Sequence, residues 1–92
     1  MYYLWNFYWD CGRMGELTGL FVATEEEIED IIGKEIYFGE ILGKHSEIFG
    51  KIKSGDITKV DLDSETVTKV SKVLGIVWSG HYPFDYIEDL KE

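Results

Sequence analysis

The sequence predicts a small α+β domain: two helices against a largely antiparallel sheet, in the order ββαβββαβ. Three observations point there. An alternating aromatic run at residues 2–9 is answered by a second apolar run at 17–23. Two stretches of helical spacing each open on a capping signal, at Thr24 and at Asp63. Short apolar runs elsewhere are separated by glycine-bearing turns.

In the first run Tyr3, Trp5, Phe7 and Trp9 fall on one side of a strand, and Tyr2, Leu4, Asn6 and Tyr8 on the other. Aromatic side chains suit a pleated surface. Asp10-Cys11-Gly12-Arg13-Met14-Gly15 supplies turn chemistry, so residues 2–23 read as a hairpin. Thr24-Glu25-Glu26-Glu27 is a capping box, in which the Thr24 hydroxyl accepts from the Glu27 amide and Glu27 reaches back. Ile28, Ile31 and Ile32 continue it as an apolar stripe, and Gly33 fits the left-handed position after a helix.

Residues 35–42 read as a third strand and 45–52 as a fourth, paired through the Gly43-Lys44 region. Ser54-Gly55-Asp56 is a turn, and Ile57, Val60 and Leu62 suggest a fifth strand with imperfect alternation. Asp63-Ser64 opens a second helix with Val67, Val70, Val73 and Leu74 on one side and Gly75 at its end. Its β-branched content makes it depend on packing against the sheet. Ile76-Val77-Trp78 is a last short strand, and residues 84–90 a terminal helical turn.

Ninety-two residues without linker, repeat or low-complexity segment make one domain, 1–92. A chain of this size buries about two-thirds of its unfolded surface, so its stability rests on good packing or on a partner. With 45% hydrophobic and 15% aromatic residues the chain is globular, not disordered. Eighteen acidic residues against nine basic ones give a net charge of −9. Direct nucleic-acid binding is disfavoured, because phosphate contacts need Lys and Arg. A basic protein partner is favoured instead. A single cysteine, Cys11, excludes an intrachain disulfide and suits a reducing, cytoplasmic setting. The first residues are not a basic region before an aliphatic run, so no secretory leader is expected, and no apolar run is long enough for a membrane span.

The central segment Tyr37-Phe38-Gly39-Glu40-Ile41-Leu42-Gly43-Lys44-His45-Ser46-Glu47 concentrates the most polar chemistry. Its glycine-flanked turn offers amides to an anion, with charge from Lys44 and His45. The plain alternative is a solvated hairpin loop. Arg13 is the only arginine in the chain. Between two glycines it could clamp a phosphate or carboxylate, or pair with Asp10. Arg13, Glu40, Lys44, His45, Ser46 and Glu47 are therefore the candidate ligand-binding set. Cys11 near Arg13 could act as a nucleophile, although a lone turn cysteine is usually a small apolar residue. Two histidines are too few for a typical zinc site, and no metal or other cofactor is expected.

Glu25, Glu26, Glu27, Glu29 and Asp30, with Asp85, Glu88 and Asp89 near the C-terminus, form the candidate protein interface: an acidic set that could engage a basic groove. The aromatic strand has rings on both sides. One side should be core, and the other calls for a helix, a partner or a second copy of the chain. The run from Trp78 to Ile87 could wall a pocket, with His81 or Asp85 as polar contacts, or could simply tuck the chain end down.

Trp9-Asp10-Cys11-Gly12-Arg13-Met14-Gly15, Gly19-Leu20-Phe21-Val22-Ala23, the segment from Ile36 to Glu47 and the ending Ser79-Gly80-His81-Tyr82-Pro83-Phe84-Asp85-Tyr86-Ile87 resemble a family of small proteins from bacteriophages and bacteria. The likeness covers nearly the whole chain. Relatives carry Asn in place of His81 and Leu in place of Phe84, which counts against a catalytic His81. The family brings no mechanism with it. A phage setting implies a class of function, since small acidic phage proteins often blunt host defence by occupying a host protein.

Three readings follow. The first is a non-enzymatic inhibitor of anti-CRISPR or related type, acting in the host cytoplasm, whose acidic surface meets the basic surface of a host defence protein. The second is a small-molecule or nucleotide-signal binder using Arg13, Lys44 and His45. The third is a small enzyme built on His45 and Glu47 or on Cys11.

Overall fold

The computed structural model describes residues 1–42 and 47–87. Its elements follow the expected order: β1 (Tyr2–Asp10), β2 (Glu16–Thr24), α1 (Glu25–Ile31), β3 (Glu35–Gly39), β4 (Ile48–Lys51), β5 (Ile57–Lys59), α2 (Ser64–Leu74) and β6 (Val77–Gly80). Two 3₁₀ turns, Gly12–Met14 and Pro83–Tyr86, complete it. The strands divide into a four-stranded sheet ordered β5-β1-β2-β6 and a separate ribbon, β3-β4, with every pair antiparallel.

The alternation in β1 sets the architecture. Trp5 and Phe7 lie opposite Phe21 and Gly19 across the hairpin. Together with Leu17 and Ala23 they make one buried face. α1, through Ile28 and Ile31, and the ribbon, through Ile36, Phe38 and Ile48, close over it. Full burial of a ring such as Phe7 or Phe21 contributes about 2–3 kcal/mol. Leu4 and Val22 point to the opposite side, where Val67 of α2 covers them. α2 thus gives the second side of the aromatic strand its cover within the chain, while Tyr2 and Tyr8 stay exposed.

Both helices begin as the sequence predicts. Thr24 accepts from the Glu27 amide at 3.1 Å, and Glu27 accepts from the Thr24 amide at 2.9 Å. Asp63 caps α2 by accepting from the Thr66 amide, and Gly75 closes it. Gly33 does adopt the left-handed region, φ 95°, one residue beyond the Ile32 cap. Its amide donates to the Ile52 carbonyl, which turns the chain into the ribbon.

Several expectations change: the fifth strand, expected through Val60 and Leu62, ends at Lys59, and the last strand runs Val77–Gly80 instead of 76–78. The third strand stops at Gly39 instead of reaching Leu42: the β3-β4 register shifts between Tyr37 and Gly39, and Ile41-Leu42 lie in a turn. The fourth strand is Ile48–Lys51 instead of 45–52, and the pairing expected through the Gly43-Lys44 region lies outside the described residues. The α2 stripe ends early, with Val67 buried but Val73 and Leu74 at 82% and 57% exposure. The terminal helical turn is a 3₁₀ turn over Pro83–Tyr86, and the rest of that expected turn lies outside the described residues.

Candidate functional site

Two surfaces carry the predicted site residues. The first is the acidic side of α1. The capping box aims the exposed carboxylates of Glu25, Glu26 and Glu27 around the helix start, while Ile28 and Ile31 bury the opposite side. These carboxylates are not equivalent. Glu25 is paired with Lys59 of β5 at 2.5 Å, and the same ammonium sits 4.0 Å from the Tyr3 ring centroid. The hydrogen bond to Glu25 holds the Lys59 pKa above its usual value. Glu27 is committed to the cap. Glu26, Glu29 and Asp30 are exposed and project from the same helix.

The C-terminal segment carries Asp85, another exposed member of the predicted acidic set. Tyr82 and Phe84 stack edge-on against Phe21, with ring centroids 5.4 and 5.8 Å away, and Tyr86 lies 4.6 Å from Phe38. Pro83 is buried, and Ile87 bridges to Ile36 of β3. The aromatic ending therefore anchors the chain on the core. His81 belongs to this anchor: its amide donates to the Thr18 carbonyl and its ring packs 6.0 Å from Phe38. Burial raises the Tyr82 pKa, and the negative charges of Glu27 and Asp85 raise it further. Glu88 and Asp89 lie outside the described residues.

The second surface is a cleft of about 600 Å³ between the end of β1 and the β4 strand. Trp9 is fixed at its wall: the indole N–H donates to Asp56 Oδ2 at 2.8 Å, and that oxygen also accepts from the Lys53 amide. Gly50 of β4 faces the Trp9 ring. Phe49 and Lys51 of β4 and Lys53 beyond it line the cleft, and Asp10, Cys11 and Glu47 border it.

Of the predicted ligand set, Glu47 reaches this cleft. Arg13 is exposed in the adjoining 3₁₀ turn, and Gly15 of that turn approaches Leu42. Glu40 is exposed beyond β3. Lys44, His45 and Ser46 lie outside the described residues. Cys11 is half-buried against the core, and burial, then Asp10, pushes its thiol pKa up, so the protonated form is favoured. That is the reverse of what a nucleophile needs.

Sequence reasoning missed the Trp9–Asp56 bond, the Lys59–Glu25 pair and the cationic side of the cleft. Both bonds join residues more than thirty positions apart. The cleft had a local signal, because Phe49, Lys51 and Lys53 alternate with Ile48, Gly50 and Ile52. Among the described residues, no helix is long and apolar enough to cross a membrane.

The chain matches no protein-family model, no curated protein and no solved structure.

Proposed function

We propose that this protein is a non-enzymatic inhibitor of phage or prophage type that binds the basic, nucleic-acid-binding surface of a host defence protein. One observation carries the reading: Glu26, Glu29 and Asp30 stand exposed on α1 and Asp85 stands exposed in the Pro83–Tyr86 turn, in a chain of net charge −9. A helix of exposed carboxylates is a surface that a groove built for phosphates would attract. Lys59 neutralises Glu25, so the working edge is the Glu26–Glu29–Asp30 side and not the whole acidic run. The proposal includes self-association, for which Val73, Leu74, Ile76 and Val77, exposed together at the end of α2 and the start of β6, offer an apolar surface.

The test is binding to purified nucleic-acid-guided effector proteins at several salt concentrations. Affinity should fall steeply as salt rises, and nucleic acid should compete. The triple charge reversal Glu26→Lys, Glu29→Lys, Asp30→Lys should weaken binding at least about tenfold. Unchanged binding by that variant would sink this reading.

A second reading, a small-ligand binder, is favoured by the cleft. The turn that carries Arg13 adjoins the cleft wall, and Glu47 borders the cleft directly.

A further inference from the structure

We propose that the free edge of β4 takes up an extended peptide strand of a protein partner, antiparallel to β4 and seated in the cleft beside Trp9. The proposal rests on the reading of this chain as a binder of another protein, and it gives the cleft to a peptide instead of a small molecule.

The shape of the cleft comes first. Five successive residues, Glu47 to Lys51, line it. Ile48 is buried against the core while Phe49 is exposed on the opposite side, so neither side of β4 alone makes the wall. Successive side chains of a strand alternate between its two sides, and they border one space together only along the strand edge. That edge is unpaired among the described residues, since the ribbon consists of β3 and β4 alone. Trp9, Asp10, Cys11 and Asp56 lie across the cleft from it.

The ladder decides which main-chain groups face that space. The Ile52 amide donates to the Lys34 carbonyl and the Ile52 carbonyl accepts from the Gly33 amide, both on the β3 side. Bonding direction alternates along an antiparallel strand, so Gly50, opposite Ile36, also turns to β3, while Phe49 and Lys51 turn away. Lys53 keeps the same phase: its amide donates to Asp56 Oδ2 and its carbonyl accepts from the Asp56 amide. Phe49 and Lys51 therefore each offer an N–H and a C=O to an incoming strand, and an edge of this kind is a template for strand addition.

The side chains specify the strand. Residues directly opposite in an antiparallel pair share a side of the sheet. A residue opposite Gly50 thus points to the Trp9 side, where glycine puts no side chain of its own and an apolar group meets an indole fixed by Asp56. On the outer side Glu47, Phe49 and Lys51 form an exposed row of negative, aromatic and positive groups. The one ion pair among the described residues, Lys59–Glu25, is elsewhere. The complementary antiparallel strand reads acidic, apolar, aromatic, apolar, basic from its N-terminus. With Asp10 and Asp56 beside Glu47, the lining is more acidic than basic, which suits a strand from a basic partner.

The experiment is an amide NMR titration at low salt with the end-capped peptide Glu-Val-Tyr-Val-Lys and with its reversal, Lys-Val-Tyr-Val-Glu. The expected result is movement of the Phe49 and Lys51 amide signals and of the Trp9 indole N–H signal. Hydrogen exchange should slow at Phe49 and Lys51 and change little at Gly50, which is already in the ladder. The first peptide should bind at least about fivefold more tightly than its reversal, through two cross-strand charge pairs. The double variant Glu47→Lys with Lys51→Glu should invert that order, and both side chains are exposed, so the fold is kept. No movement along β4, movement without slowed exchange at Phe49 and Lys51, or equal binding of the two peptides would each overturn the proposal. If the peptides fail while an effector protein still binds through the acidic side of α1, the edge site is rejected and the inhibitor reading stands.

Discussion

Gly19 of β2 and Gly80 of β6 lie opposite one another in the sheet, and neither position has room for a side chain. A Cβ on Gly19 would fall 1.9 Å from the His81 carbonyl oxygen, and one on Gly80 would fall 2.3 Å from the Thr18 carbonyl oxygen. The two backbones therefore pass closer than any other residue type permits. This contact seats β6 and everything after it, including the Tyr82 and Phe84 rings on Phe21.

Gly19→Ala should accordingly be among the most damaging small changes in the chain, costing about 3 kcal/mol from overpacking against immovable backbone. Gly80→Ala adds the strain of a left-handed backbone, φ 71°, and should cost at least as much. Gly55→Ala is the control, since nothing lies within 4 Å of its Cβ position. Urea melts of the three variants decide it. A Gly19→Ala protein as stable as Gly55→Ala would mean that β6 does not dock as described.

The two ends of α2 should respond in opposite ways to the same substitution. Val67 is fully buried against Leu4 and Val22, so Val67→Ala should destabilise by about 2 kcal/mol. Val73 is 82% exposed, and alanine is the better helix former, so Val73→Ala should be neutral or stabilising by a few tenths of about 1 kcal/mol. Thermal melts followed by circular dichroism measure both. Equal losses would restore the continuous stripe that spacing alone suggested.

Acid should weaken α2 through its cap. Asp63 accepts from the Thr66 amide at 2.9 Å and from the Thr66 hydroxyl at 2.8 Å, and these bonds hold its pKa below the ordinary 3.8. The folded state thus prefers the ionised carboxylate. Its contribution is fully present above the unfolded value and is lost as pH falls through the lower folded value. Asp63→Asn keeps a capping oxygen but cannot titrate. The Tm gap between the two proteins should therefore be largest near neutral pH and should close as pH drops towards about 2. A gap that stays constant over that range would show that ionisation of Asp63 is not coupled to folding.

How much of this was legible in the sequence depends on the range of each interaction. The hairpin, both helix caps and the element order are local, and Trp5, Phe7, Thr24 and Asp63 announce them by spacing. The division into a sheet and a ribbon is not local. It follows from β1 taking β5 as its second neighbour, with Trp5 opposite Lys59, a pairing that no short-range pattern contains. The same pairing brings Lys59 to Glu25 and removes one carboxylate from the acidic surface. The end of the α2 stripe was equally hidden, because spacing shows which residues could share a side but not how far the sheet beneath them extends. The cleft arises where the hairpin end meets the ribbon, so its two walls come from segments about forty residues apart in the chain.

The thiol of Cys11 gives the sharpest test of the enzymatic reading. It packs half-buried against the core, beside Asp10, and both circumstances favour the thiol over the thiolate. A nucleophilic cysteine requires the opposite, a positive neighbour that lowers the pKa. Arg13 is two residues away, yet its side chain is exposed. Alkylation by iodoacetamide at neutral pH should thus run more slowly than that of free cysteine under the same conditions. The rate should climb only as pH rises beyond the ordinary thiol value of 9.0. Intact-mass measurement of the time course gives the rate directly. Labelling faster than free cysteine at neutral pH would point to an activated thiolate and return Cys11 to the list of reacting groups. Slow labelling leaves it as what its contacts describe, a small apolar side chain closing the gap between the hairpin turn and the core.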